Sequence, residues 1–189
     1  MDALSDVLRV TRLSGGVFLE ADLTAPWFQR GTIHRRCRPF VVALRHVIAS
    51  HFVAAGSMQL RVDGGETTDV RAGEFLLLPH NDGPTCGSNV NAEPIAAGEI
   101  IRAPQCNGLA RIKYGGGGAV TQLLCGYLGS DAPFSPLLSG LPSLLKVDVR
   151  ATASGAWIES SFRFAASKIA AGRLGSTTVR VRDTTQYLA

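Results

Sequence analysis

Between Phe40 and Leu128 the chain is cut into short apolar-rich segments by glycine-containing turns, and this punctuation restricts the fold more than any other feature. The segments FVVALRHVIASHFVAAG, SMQLRVDGGE, TTDVRAGEFLLLP, GLARIKYGGGG and AVTQLLCGYLG follow one another with little between them. Short strands at such spacing predict an all-β sandwich or barrel. The alternation is clearest in SMQLRVDGG, where Met58, Leu60 and Val62 oppose Gln59, Arg61 and Asp63. That is the pattern of a half-buried strand, and the DGG that ends it is a strong hairpin signal.

The flanks have a different grammar. Leu4, Val7, Leu8 and Thr11 recur at helical spacing behind Asp2 or Ser5 as N-cap, which predicts a short amphipathic helix. From Gly16 the period becomes two, with Val17, Leu19 and Ala21 on one face, Phe18, Glu20 and Asp22 on the other, and APW closing the strand. After Gly129, FSPLLSGLPSLLKV predicts one or two short helical turns around Gly140 and Pro142. SGAWIESSFRFAASKIAAG then places Ile158, Phe162, Ala165 and Ile169 on one stripe, with Ser154 as cap and Gly172 as stop, and predicts a helix of about four turns. The tail STTVRVRDTTQYLA reads either way, because its β-branched residues disfavour the helix its position suggests. The run Gly115–Gly118 lacks the Lys-Ser/Thr and following helix of a phosphate loop, so a hairpin between two strands is expected.

Composition narrows the function classes. The 189 residues are 46% hydrophobic and 18% charged, with no apolar run long enough to cross a bilayer and no secretory leader in MDALSDVLRVTRL. A cytoplasmic protein with no membrane partner is expected. Four cysteines stand without a CxxC pair or repeated spacing, so reduced thiols are the expectation. The net charge of +4 is concentrated in RGTIHRRCR (Arg30, Arg35, Arg36, Arg38) and in Arg173, Arg180 and Arg182. Such clusters form solvated loops or hold an acidic ligand or partner. No nucleophile elbow and no suggestively spaced carboxylate pair occurs, so catalysis has no positive support.

The stretch GEFLLLPHNDGPTCGSN, Gly73 to Asn89, resembles the second motif of the cupin superfamily, G-x5-P-x-G-x2-H-x3-N. Gly73 and Pro79 fit its front half. Asn81 then occupies the glycine slot, Pro84 the histidine slot and Ser88 the asparagine slot. The first motif would end at Gly56, which puts Ala49 in the glutamate slot and the two histidines among Val42, Ala43, Leu44 and Arg45. All four customary ligand positions lack a donor, so no cofactor is expected. The alternative is a divalent metal at a rearranged site drawn from His46, His51, His80 and Cys86, with His46 and His51 on opposite strand faces unless a bulge intervenes.

Read whole, the ordered strings MDALSDVLRVTRLSGGVF, HVIASHFVAAGSMQLRVDGGETTDVRAGEFLLLPHND, YGGGGAVTQLLCGYLG, LLSGLPSLLKV and GAWIESSFRFAASKIAAGRLGS resemble the N-terminal cupin-type domain of AraC-type transcription regulators, over most of residues 1–176. The resemblance implies a mainly β fold: a cupin-like jelly-roll barrel with a short N-terminal helix over 1–130, and a helical dimerisation segment over 131–189. It implies a small-molecule effector, a homodimer, and DNA contact only through a helix-turn-helix region that these residues do not contain. The expected function is effector sensing, with a cupin oxygenase or isomerase and a cysteine-based redox sensor as alternatives. Alternation selects Val47, Met58, Leu60, Phe75, Leu77 and Leu123 as pocket-lining, with either parity open. Trp157, Ile158, Phe162 and Ile169 are the dimer-helix candidates. Cys37 among arginines, Cys86 in a polar loop and Cys125 on the face of Leu123 and Tyr127 are the redox candidates.

Overall fold

The computed structural model describes residues 13–31, 46–90, 95–96, 100–102, 110–130, 136–151 and 155–170, and within them eleven strands form two sheets. In chain order these are β1 (Leu13–Thr24), β2 (Phe28–Arg30), β3 (His46–Ala55), β4 (Ser57–Arg61), β5 (Thr68–Arg71), β6 (Glu74–Leu78), β7 (Thr85–Gly87), β8 (Ile95–Ala96), β9 (Ala110–Gly115), β10 (Val120–Ser130) and β11 (Leu145–Asp148). A helical turn α1 (Pro136–Ser139) precedes β11, and the helix α2 (Gly155–Ala170) follows it. The larger sheet runs β11-β6-β3-β10-β1-β9 and the smaller β5-β4-β7-β2-β8. This is the mainly β, cupin-like architecture expected. The predicted N-terminal helix, the arginine-rich segment 32–45 with Cys37, and the tail 171–189 lie outside the described residues.

The sheets face each other because each strand puts an apolar row on one side. Leu19, Ala21 and Leu23 of β1, Ala49 and Val53 of β3, Leu76 and Leu78 of β6 and Leu123 of β10 meet Met58, Leu60 and Val70 of the smaller sheet in one buried core. Each of the leucine, valine and methionine side chains contributes roughly 1.5–3 kcal/mol by leaving water. A second cluster, Phe52, Leu124 and Val149 with Val17 and Phe75, lies on the outer side of the larger sheet. Val17 belongs there because the register of β1 against β10 shifts between Val17 and Leu19, a bulge that breaks the simple alternation read from sequence.

Two elements differ from the sequence expectation. LLKV is not helical: Leu145–Asp148 pairs with β6 as an edge strand, its exposed Val147 opposite Phe75. Nor is the glycine run a hairpin, because β9 and β10 are not neighbours. β1 lies between them, parallel to β9 and antiparallel to β10. The chain from β9 to β10 must therefore cross the end of β1 at close range. Gly116 N–H donates to Thr24 O (2.9 Å), Gly118 N–H to Ala25 O (2.8 Å), and Ala25 N–H to Ala119 O (2.9 Å). A Cβ on Gly115 would strike Thr24 O, and one on Gly118 would lie 2.7 Å from Ala25 O. Gly117 meets nothing within 4 Å.

This contrast yields a prediction. Gly117→Ala adds only left-handed strain at φ 84, about 1 kcal/mol. Gly115→Ala adds a backbone collision as well and should lower stability by about 3 kcal/mol. Urea midpoints of the two variants measure the difference, and equal losses would show that the crossing is looser than described.

Candidate ligand-binding site

The Gly73–Asn89 stretch keeps the parts of its motif that set backbone geometry. Gly73 turns at φ 90 between β5 and β6, and Pro79 is buried at the end of β6. Asn81, in the motif's glycine slot, has φ 54. Asparagine is among the few residues other than glycine that enter the left-handed region readily, so the slot's conformational task survives the replacement. Pro84, in the histidine slot, is buried and leads into β7.

The donors proposed for a rearranged metal site do not come together. His46 Nε2 donates to Pro79 O (2.6 Å), and His80 Nε2 donates to Leu141 O (2.8 Å), ties that brace the motif loop and the segment before β11. His51, five residues along an unshifted stretch of β3, faces the opposite way from His46, into the barrel, opposite Cys125. Cys86 belongs to β7 in the other sheet. Among the described residues no three His, Cys, Asp or Glu side chains are grouped to hold a metal ion. The customary cupin metal does not fit these residues, and no chemistry is routed through one.

The structure assembles instead a sparse polar set on the inner faces of the two sheets. His51 Nδ1 and Cys125 Sγ share a hydrogen bond at 3.1 Å on the larger sheet. On the smaller sheet Gln29 is paired with Cys86 and donates from Nε2 to its Sγ (3.4 Å). Two buried atoms beside it, Trp27 Nε1 and Gln29 Oε1, have no hydrogen-bond partner among the described residues. A buried donor or acceptor without a partner costs roughly 1–3 kcal/mol, so a donor and an acceptor left open on one apolar face mark a place where a bound group would be stabilised.

Two titratable groups of this set, one on each sheet, are held neutral. Burial lowers His51 from 6.5 to about 4 and raises the Cys86 thiol to about 11, the latter opposed by the Gln29 hydrogen bond. Cys86 is thus neither loop-borne nor exposed, as its sequence surroundings suggested, but a buried thiol in a strand. Cys125 is also a buried free thiol.

Of the pocket candidates chosen by alternation, Met58, Leu60 and Leu123 point inward and are buried. Val47 shares the inward parity of Ala49 and is half-buried. Phe75 and Leu77 have the other parity: Phe75 pairs with Phe52 and Leu77 with Ser50, on the outer side of the sheet. From Phe75 to Leu78, sequence alone could not decide which of four consecutive apolar residues faced in, because EFLLL has no alternation. Trp27, Gln29 and the His51–Cys125 contact were not legible for a related reason, since strand register across 57 and 74 residues makes them. The barrel centre is itself largely filled by Leu23, Leu60, Leu76, Leu78, Ile112 and Leu123. Two clefts lie on the outside. One, of about 480 Å³, runs along Ser57, Gln59, Asp69 and Arg71 to Val120 and Thr121. The other, of about 290 Å³, lies between α2 and the outer side of the larger sheet.

On α2, Trp157 is 44% and Phe164 60% exposed. Seven residues apart, they share one helix face. The side chains of Ile158, Phe162 and Ile169 lie outside the described residues. None of the described helices is long and apolar enough to cross a membrane.

Two facing sheets of short strands, joined by the glycine-and-proline turn of Gly73 to Asn81, define a cupin-type barrel. A family model described as Cupin matches residues 2–183, and the chain belongs to that family. Solved structures similar to it include protein Ylba from E. coli (14% identity, TM-score 0.31, 56% of this chain and 31% of that one). They also include an apo ToxT variant from Vibrio cholerae (10% identity, TM-score 0.40, 82% of this chain and 48% of that one). The chain thus spans about a third and about half of those two proteins. No curated protein matches the sequence.

Two measurements test the interior. His51 is proton-poor in the folded state and takes a proton at ordinary pH once unfolded, so acid favours unfolding. Full stability is expected above about pH 6.5, with up to about 3 kcal/mol lost as pH falls toward 4. His51→Gln should flatten that part of the curve; an unchanged slope would place the titration elsewhere. For Cys86, a thiol at about 11 leaves about one molecule in a thousand as thiolate at pH 8. Peptide mapping after iodoacetamide should find Cys86 unmodified in the native protein and modified in urea, and rapid native labelling would contradict its burial.

Proposed function

We propose that this cupin domain is the effector-sensing and self-associating part of an AraC-type transcription regulator, taking a small organic molecule without reacting with it. The ordered strings that resemble such domains support the regulator assignment. The observation that carries the ligand reading is the pair of buried atoms without a partner among the described residues, Trp27 Nε1–H and Gln29 Oε1, on the smaller sheet's apolar inner face, with a neutral Cys86 beside them and a neutral His51 on the facing sheet. Such a face suits a neutral molecule that offers one acceptor and one donor, such as an amide, alcohol or phenol, rather than an ion. Binding would shift the population of α2 positions and so the way two copies present their DNA-binding parts. A metalloenzyme is not favoured, because the donors it would use are spread over separate contacts.

Native mass spectrometry against a panel of neutral amides, alcohols and phenols, with carboxylate and amine analogues, tests the ligand class. At least one neutral compound should bind and weaken about tenfold in Gln29→Leu, the loss expected for one buried hydrogen bond. Tighter binding of the charged analogues, unaffected by that change, would refute the reading.

Self-association has its own test. The exposed aromatic face of Trp157 and Phe164 is the candidate contact. Light scattering should report a dimer that the double change Trp157→Ser, Phe164→Ser weakens at least about tenfold, as loss of aromatic anchors does. A strict monomer at high concentration would remove the dimerisation proposal.

A further inference from the structure

The groove beneath α2 has a chemistry opposite to that of the barrel interior. Its walls include Arg111 of β9, Arg163 of α2, Glu20 and Gln122, and its floor includes Leu124 and Ala54. Arg163 is anchored at both sides: its Nη2 lies 2.9 Å from Glu159 Oε1, one turn back on the helix, and donates to Ala54 O on β3 (3.4 Å). The guanidinium thus reaches from helix to sheet across the groove's edge.

Arg111 has a less satisfactory setting. Its nearest carboxylate, Glu20, is 3.6 Å away, and both side chains are well exposed. Its backbone forms an isolated antiparallel bridge with Arg102, each N–H donating to the other's carbonyl (2.8 and 3.0 Å). Directly paired residues of this kind project their side chains to the same side of the sheet at close quarters, and like charges so placed repel. Among the described residues that face the groove or stand beside it, three guanidiniums (Arg102, Arg111, Arg163) meet two carboxylates (Glu20, Glu159), of which Glu159 is committed to Arg163. The next ladder position, Lys113 opposite Asp22, is neutral as a pair.

We propose that this groove is a binding site for a small organic oxyanion, its carboxylate or phosphate held between Arg111 and Arg163 and its apolar part laid on Leu124 and Ala54. The site is separate from the barrel interior and does not depend on the reading given for it. Guanidiniums suit such a head group because each carries several donors in one plane, so that Arg163, whose Nε and Nη2 already meet Glu159, still has Nη1 to donate. An oxyanion there relieves the Arg102–Arg111 repulsion and joins a residue of α2 to one of β9. Its occupancy therefore fastens the helix that carries Trp157 and Phe164 to the barrel.

Isothermal titration of the whole protein with benzoate and, separately, inorganic phosphate tests this, with sodium chloride at matched ionic strength as control. Saturable binding of at least one anion is expected, weakened about tenfold by Arg111→Gln and by Arg163→Gln. Lys113→Gln should leave it unchanged. Arg163→Lys, which keeps the charge and loses the fork, should fall between. Benzoate binding alone would assign the floor a role, and phosphate binding alone would assign the site to the head group. Circular dichroism confirms that each variant is folded; if Arg111→Gln is not, Arg102→Gln replaces it and should weaken binding, by less than Arg163→Gln does, because it removes the repulsion that the anion relieves. The proposal is overturned if neither anion binds the folded protein, if chloride reproduces the effect, or if both arginine variants bind as well as the parent.

Discussion

Strand β1 decides how the barrel closes. It enters between two strands adjacent in sequence, β9 and β10, and pairs with both, so the connection between them must pass over its end. At Gly115 and Gly118 only backbone can make that passage, because Thr24 and Ala25 fill the space a side chain would need. With β1 seated, Leu19 comes opposite Cys125, and β10 in turn sets Cys125 opposite His51. The Glu20–Arg111 pair outside the barrel follows from the same strand's register, being brought together by β1 pairing with β9.

How much of this was legible in the sequence follows from what period-two patterning can and cannot carry. Where polar and apolar residues alternate, as in SMQLR, the pattern separates the two faces without saying which is inward, and Met58 and Leu60 are the buried ones. Where they do not, as in EFLLL, the pattern is silent, and Phe75 and Leu77 turned out to face away from the core. A bulge defeats alternation altogether, which is why Val17 left the face of Leu19. The helix over Gly155–Ala170 was visible because sixteen residues give a 3.6-residue period room to repeat. The edge strand β11 was not, since four residues hold no period and its place depends on an open edge at β6. For the site the limit was sharper still: contacts between Gln29 and Cys86, or His51 and Cys125, are made by pairing distant strands, and no local signal reports them.

The two sides of the larger sheet have been given opposite electrostatic characters. Inside, desolvation dominates and keeps His51 on this sheet, and Cys86 on the sheet facing it, uncharged. Outside, Arg111 and Arg102 are exposed and stand opposite each other across an isolated bridge, with Glu20 3.6 Å from Arg111. A single layer of backbone separates these environments, with Leu123 facing one and Leu124 the other. A helix resting on the outer side is thus coupled to the inner side through strands whose alternate residues serve both.

Asn81 shows why the cupin motif could lose its donors and keep its shape. A metal-binding motif asks two separate things of the chain: imidazoles at given positions, and a backbone that turns sharply after a buried proline. The first is a demand on side chains and disappears when nothing selects for a metal. The second is a demand of the barrel, because β6 must end at Leu78 and the chain must turn back to build β7, with Asn81 N–H donating to Leu78 O (3.1 Å) to close the turn. Glycine meets that demand best and asparagine next, and Asn81 meets it at φ 54. Pro84 in the histidine slot likewise carries the chain into β7 as a buried residue. What persists in GEFLLLPHNDGPTCGSN is the geometry that any cupin barrel needs, whether or not it performs chemistry.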